Sequence, residues 1–110
     1  MDDYTGALAN QLVALHLFDS LDMKHEYADL QCQIASIHNY TGSHNLAARY
    51  LDRAIGAYEE LKDTSSMLTT MYYLGNTLLD DQDTAAAIIL FHRRLSIVLE
   101  RKDINRIRST

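Results

Sequence analysis

The sequence predicts an all-α domain of stacked antiparallel helical hairpins, and three observations carry that expectation. None of the 110 residues is proline, the residue that most effectively breaks a helix. Apolar residues recur at three- and four-residue spacing in five stretches, each closed by a short polar break. The breaks themselves repeat: "ELKD" at residues 60–63 returns as "ERKD" at 100–103, forty residues later.

Residues 4–21 form the first expected helix, with Leu8, Leu12, Leu15 and Phe18 on one side. The second covers about 25–39 and turns Tyr27, Leu30, Ile34 and Ile37 inward. "TGS" at 41–43 then makes a turn, with Ser43 as an N-cap whose hydroxyl can accept from the first helical amides. The third, 44–61, presents Leu46, Ala47, Tyr50, Leu51, Ala54, Ile55 and Tyr58. After "KDTSS", Thr64 or Ser65 is the expected cap of a fourth helix carrying Met67, Leu68, Met71, Leu74 and Leu78. Asp83, at the end of "DDQD", caps a fifth helix to about Glu100, and "INRIRST" begins another.

Laying residues 24–63 over 64–103 pairs Ile34 with Leu74, Ala35 with Gly75, Ala47 with Ala87, Leu51 with Phe91 and Ile55 with Leu95. Only five of the forty aligned positions are identical, so the repeat lies in residue class at special positions. The first helix joins the series through Ala7, Ala14 and Leu15, but carries Gln11 where the later units have Leu51 and Phe91. One domain results, a half repeat over 1–23, full repeats over 24–63 and 64–103, and a tail over 104–110. The pattern also accounts for Gly75, a glycine inside an apolar helix, where it costs about 1 kcal/mol relative to alanine. Close approach of two antiparallel helices needs a small residue on each. Ala35 or Gly75 can meet Ala47 or Ala87 twelve residues on, with the bulk of residue 51 or 91 filling the space beyond.

This spacing resembles the tetratricopeptide repeat family, in which a large residue precedes Gly or Ala, Ala follows twelve later, and an aromatic or Leu four after that. Leu74-Gly75…Ala87…Phe91 fits it, as does Ile34-Ala35…Ala47…Leu51. A third small position is met by Ala14 and Ala54 and broken by Arg94, and the usual repeat-ending proline is missing. The period of forty, and "LGN" at 74–76, resemble the long-helix subgroup; HEAT-type repeats share the period but fit the Gly/Ala spacing less well. The resemblance implies a right-handed solenoid whose first helix in each hairpin lines a concave groove. The matching groove positions include Ser36 and Asn39 in one repeat and Thr69, Tyr72, Tyr73 and Asn76 in the next. It also implies that an asparagine such as Asn76 holds the backbone of an extended peptide. Tyrosines offer large, low-entropy contact area, although Tyr72 or Tyr73 could equally pack on a neighbouring helix.

Composition narrows the function. The net charge is −5, with nine acids against three bases in residues 1–60 and six against seven in 61–110. An acidic chain is poorly suited to binding nucleic acid, which depends on neutralising phosphates. No apolar run approaches a membrane span, and the acidic start "MDDYTG" does not read as a signal peptide, so the expected location is cytoplasmic.

No catalytic pattern emerges. His16, His25, His38, His44 and His92 include no i, i+4 pair with a carboxylate between, which a helical zinc protease site needs. The carboxylate pairs Asp2-Asp3, Glu59-Glu60 and Asp80-Asp81 are adjacent and diverge on a helix. Cys32, the sole cysteine, has glutamines beside it and no base, and it excludes an internal disulfide. The expectation is therefore a non-catalytic scaffold, without cofactor or metal, that binds a partner's peptide or helix. The alternative is a sensory or dimerising module of a larger signalling enzyme or transcriptional regulator. Terminal faces bear on both: "AAAIILFHRRLSIVLE" at 85–100 is apolar over much of its circumference and needs a cover. Either the chain is a piece of a longer array, or it forms a homo-oligomer through its terminal helices.

Overall fold

The computed structural model describes the backbone of residues 3–109 and the side chains of residues 5–102. Five α-helices follow one another: α1 (Asp3–Ser20), α2 (Lys24–Tyr40), α3 (His44–Glu60), α4 (Thr64–Asp80) and α5 (Thr84–Ser109). No strand occurs among the described residues. Helices α2 to α5 start twenty residues apart, so each forty-residue repeat is two helices with two three-residue connections. Residues 104–109 prolong α5 rather than beginning a new helix, because no break separates them from it.

All four connections have the same hydrogen-bonded form. The residues with positive φ are Asp22 (57°), Gly42 (87°), Lys62 (59°) and Gln82 (64°), spaced by twenty. In each turn the amide after the left-handed residue reaches five residues back, as from Ser43 to the His38 carbonyl (2.7 Å) or Asp63 to Tyr58 (2.9 Å). The left-handed residue's own amide reaches three back, as from Lys62 to Glu59 (3.1 Å). These two bonds are the Schellman ending of a helix, which satisfies carbonyls that would otherwise lack partners. Only Gly42 is a residue that takes this conformation freely; at the other three sites it costs about 1 kcal/mol.

Capping differs from the sequence expectation at two places. Asp63, not Thr64 or Ser65, caps α4, its carboxylate accepting from the Ser66 amide (3.2 Å). Ser43 holds the N-cap position of α3 but its side chain makes no cap bond. Asp83 does cap α5, accepting from the Ala86 amide at 3.2 Å.

Each helix packs on the next, α1 on α2 through to α4 on α5, in a solenoid-like order. Neighbours are antiparallel: Lys24 at the start of α2 meets Glu60 at the end of α3 (3.3 Å). Helices α2 and α4 lie side by side and parallel, joined by Cys32–Thr70 (3.8 Å) and Asn39–Thr77 (2.8 Å), both pairs 38 residues apart. The core runs through α2, α3 and α4, where Ile34, Ala47, Leu51, Ala54 and Met71 are buried.

Two leucines expected inside, Leu12 and Leu46, are exposed. No described residue of α1 is fully buried, because this helix contacts other helices on one side only. Gly75 is explained differently from the sequence expectation. A Cβ placed there would overlap the Phe91 ring, so the close approach is made by that ring itself, with Ala87 buried nearby.

Candidate functional site

Two adjoining clefts open between α2 and α4. The first, about 430 Å³, is lined on α2 by Cys32, Gln33, Ala35, Ser36 and Asn39 and on α4 by Tyr73, Asn76, Thr77 and Asp80. His44 and Leu51 of α3 form part of its wall. The second, about 320 Å³, holds Asp29, Cys32, Tyr58, Ser65, Ser66, Thr69, Thr70 and Tyr73. Cys32 and Tyr73 belong to both and form the ridge between them.

Ser36, Asn39, Tyr73 and Asn76 thus meet in one cleft, and Thr69 joins Tyr73 in the other. Tyr72 lines neither cleft. Adjacent helical residues diverge by about 100°, and the Tyr72 ring faces α5, with the Arg94 guanidinium 5.7 Å from its centroid. Arg94 also donates from Nε to the Leu68 carbonyl at 2.9 Å. The arginine that breaks the small-residue pattern therefore ties α5 to α4.

The two asparagines differ in what they have left to offer. Asn39 Nδ2 donates to Thr77 Oγ1 (2.8 Å), and its Oδ1 lies 3.0 Å from His44 Nδ1, so its amide joins α2, α3 and α4. Asn76 has no side-chain hydrogen bond among the described residues and is half-buried in the cleft wall. Its amide presents one acceptor and two donors to whatever enters. Tyr73, more than half exposed, stands beside it with its ring 6.1 Å from that of Tyr72.

The second cleft is floored by a polar chain. The Tyr58 hydroxyl donates to Asp29 Oδ1, and burial together with that bond pushes the phenol far above its ordinary pKa. His25 stands between Asp29 (3.2 Å) and Asp63 (3.3 Å). Hydrogen bonds from Ser66, and then His25, hold the Asp63 carboxyl below its usual range. Burial raises the Cys32 thiol, which makes it a poor nucleophile. These groups brace α2 against the end of α3 and the start of α4. Among the described residues, no group of three or more His, Cys, Asp or Glu is arranged to hold a metal ion.

Sequence reasoning did not assign Thr70, Thr77, Asp80 or His44 to the groove; it weighed His44 only as a metal ligand and Asp80 only as half of a carboxylate pair. Its overlay at forty residues pairs Asn39 with Leu79, but α2 and α4 meet at a separation of 38. Reading the chain at that offset places Thr70 opposite Cys32 and Thr77 opposite Asn39.

No family model and no curated protein matches the sequence. Among solved structures, the crystal structure of the apo form of RapI is similar to it, with a TM-score of 0.78 and 22% identity. The match covers 92% of this chain and 36% of the RapI chain. At that identity the likeness concerns the fold, and it agrees with a helical repeat architecture. No helix among the described residues is long and apolar enough to cross a membrane.

Proposed function

We propose that the chain is a non-catalytic, cytoplasmic helical-repeat module of the tetratricopeptide type, which binds an extended segment of a protein partner between α2 and α4. The observation that carries this reading is the Asn76 amide, without a hydrogen-bond partner among the described residues, in the wall of a cleft beside Tyr73. A primary amide can pair with both the N–H and the C=O of a passing peptide backbone. Ser36, one repeat earlier on α2, offers a second exposed polar anchor across the cleft. Packed helices stand about 8–10 Å apart, a distance spanned by about three residues of extended chain. Tyr73 then supplies apolar contact, and Asp80 at the rim disfavours a polyanion.

The test is panning of a phage-displayed random-peptide library on the wild-type chain and on a Tyr73→Ala/Asn76→Ala variant of equal helicity by circular dichroism. The expected result is a family of peptides held by the wild type and bound at least tenfold more weakly by the variant. Peptides retained equally by both would remove the cleft from the binding function.

A second reading, a sensory or dimerising module within a larger signalling enzyme or regulator, is favoured by the share of RapI that the match covers, 36%. It is separable from the first, because it locates partner contacts on the terminal helix faces and leaves them unaffected by the cleft variant.

A further inference from the structure

A third cleft, of about 310 Å³, opens where the end of α1, the start of α2 and the last turns of α3 meet. None of its lining residues lines either α2–α4 cleft, so it is a separate place on the molecule. Its volume is at the lower end of the range for small-molecule sites, about 300–1,000 Å³. Half-buried Phe18, Met23 and Tyr27 line it together with exposed Asp19, Asp22 and Arg53. Lys24 and Glu60, also in its wall, are paired with each other at 3.3 Å.

Gly56 forms part of the α3 wall. Glycine is the residue least suited to a helix interior after proline, and a Cβ at Gly56 would have no neighbour within 4 Å. Helix packing therefore does not call for it, in contrast to Gly75 against the Phe91 ring. Its effect is to leave the wall of the cleft without a side chain.

The charges gain meaning one repeat later. Arg93 and Glu59 stand forty residues after Arg53 and Asp19, and they pair between α5 and α3 at 3.5 Å. Asp19 is one methylene shorter than Glu59, and neither it nor Arg53 is in an ion pair among the described residues. Arg53 instead has its guanidinium 5.7 Å from the Tyr50 ring centroid. A guanidinium and the Asp19 and Asp22 carboxylates thus border one cleft without meeting. Both acids also lie at the C-terminal end of α1, where the helix dipole favours a positive charge and no basic residue of the last turn supplies it.

We propose that this cleft binds a small zwitterion, a free α-amino acid with an apolar or aromatic side chain. Its carboxylate accepts from the Arg53 guanidinium and its ammonium donates to Asp19 and Asp22, completing the link that Glu59 and Arg93 make directly. Its side chain lies against Phe18, Met23 and Tyr27, in the space that Gly56 leaves free. A ligand with a single charge would leave either the guanidinium or the carboxylates uncompensated.

The test is isothermal titration calorimetry of the whole chain with L-leucine and L-phenylalanine, and with the amine and the acid that match each but lack its carboxylate or its ammonium. One or both amino acids are expected to bind, with the matching amine and acid about tenfold weaker. Arg53→Gln and Asp19→Asn are each expected to weaken binding about tenfold as well. Gly56→Leu is expected to abolish it without loss of helicity or Tm, since leucine is the better helix former. Should Gly56→Leu fail to fold, the analogues and the two charge variants decide. No binding of either amino acid at about 10 mM would overturn the proposal. So would an amine or acid that binds as tightly as its amino acid, which would make this a site for one charge. Binding unchanged in Gly56→Leu or Arg53→Gln would place the ligand elsewhere and overturn it too.

Discussion

Helices α2 and α4 occupy the same place one repeat apart, yet they fill two buried positions differently. Where α4 has Met71, α2 has Gln31; both are fully buried, and neither amide atom of Gln31 has a hydrogen-bond partner. Where α4 has Gly75 beneath Phe91, α2 has Ala35, and the repeat-mate of Phe91 is the smaller Leu51. The first difference follows what lies alongside. Gln31 is the repeat-mate of Met71, and the residue forty before Leu51 is Gln11, whose Oε1 is also buried without a partner. The α1–α2 joint has polar residues where the α3–α4 joint has apolar ones, and α1 has no fully buried described residue. The second difference shows volume being exchanged within a pair, a methyl removed on one helix for a ring added on the other. A repeat therefore conserves the sum at each contact and not the individual residue.

Transplanting these residues between the helices breaks the comparison in graded steps. Met71→Gln carries the polar residue into the better-packed joint and is expected to destabilise by about 3 kcal/mol, the cost of an unpaired buried amide. The reverse transplant, Gln31→Met, is expected to stabilise by about 1–2 kcal/mol. Urea denaturation midpoints measure both, and equal effects of one sign would show that the joints do not differ. Next is Gly75→Ala, which gains about 1 kcal/mol of helix propensity but forces the Phe91 ring aside at a cost of about 1–3 kcal/mol. The net is a loss of about 1 kcal/mol. Adding Phe91→Leu recreates the Ala35/Leu51 pairing and is expected to recover most of it, a coupling visible in a double-mutant cycle.

The turns sharpen the comparison further. Gly42 and Lys62 hold the same left-handed conformation. Gly42→Ala is expected to cost about 1 kcal/mol and Lys62→Gly to stabilise by somewhat less, both read from thermal melts. The smallest effect concerns pH. The Asp63 carboxyl is held below its usual range chiefly by the hydrogen bonds from Ser66. A depressed folded-state pKa gives stability that is present above the unfolded value and lost as pH falls through the folded one. Asp63→Ala should therefore lower Tm at neutral pH, and the difference should close on the acid side of the normal carboxylate range.

The helices, their order and the repeat were legible because apolar spacing and polar breaks are local signals. Gly42 announced its turn, but Asp22, Lys62 and Gln82 carry no such signal, since only the closing hydrogen bonds force them left-handed. Leu12 read as inward because a stripe of leucines does not say whether another helix covers it. In the cleft, residue types were legible and registry was not. A forty-residue period was visible, but the 38-residue stagger that locks Asn39 to Thr77 comes from how whole helices pack. For the same reason Tyr72 and Tyr73 could not be told apart, although one faces Arg94 and the other the clefts.

The measurement that most directly tests the proposal of peptide binding in the α2–α4 cleft is a two-dimensional NMR titration that follows side-chain amide signals as a peptide selected on the wild-type chain is added. Asn76 should shift most among the side-chain amides, and its Nδ2 protons should become protected from exchange. Asn39, already bonded to Thr77, should move little. Shifts confined to α1 or α5, with Asn76 unmoved at saturation, would contradict the assignment of the cleft as the binding site.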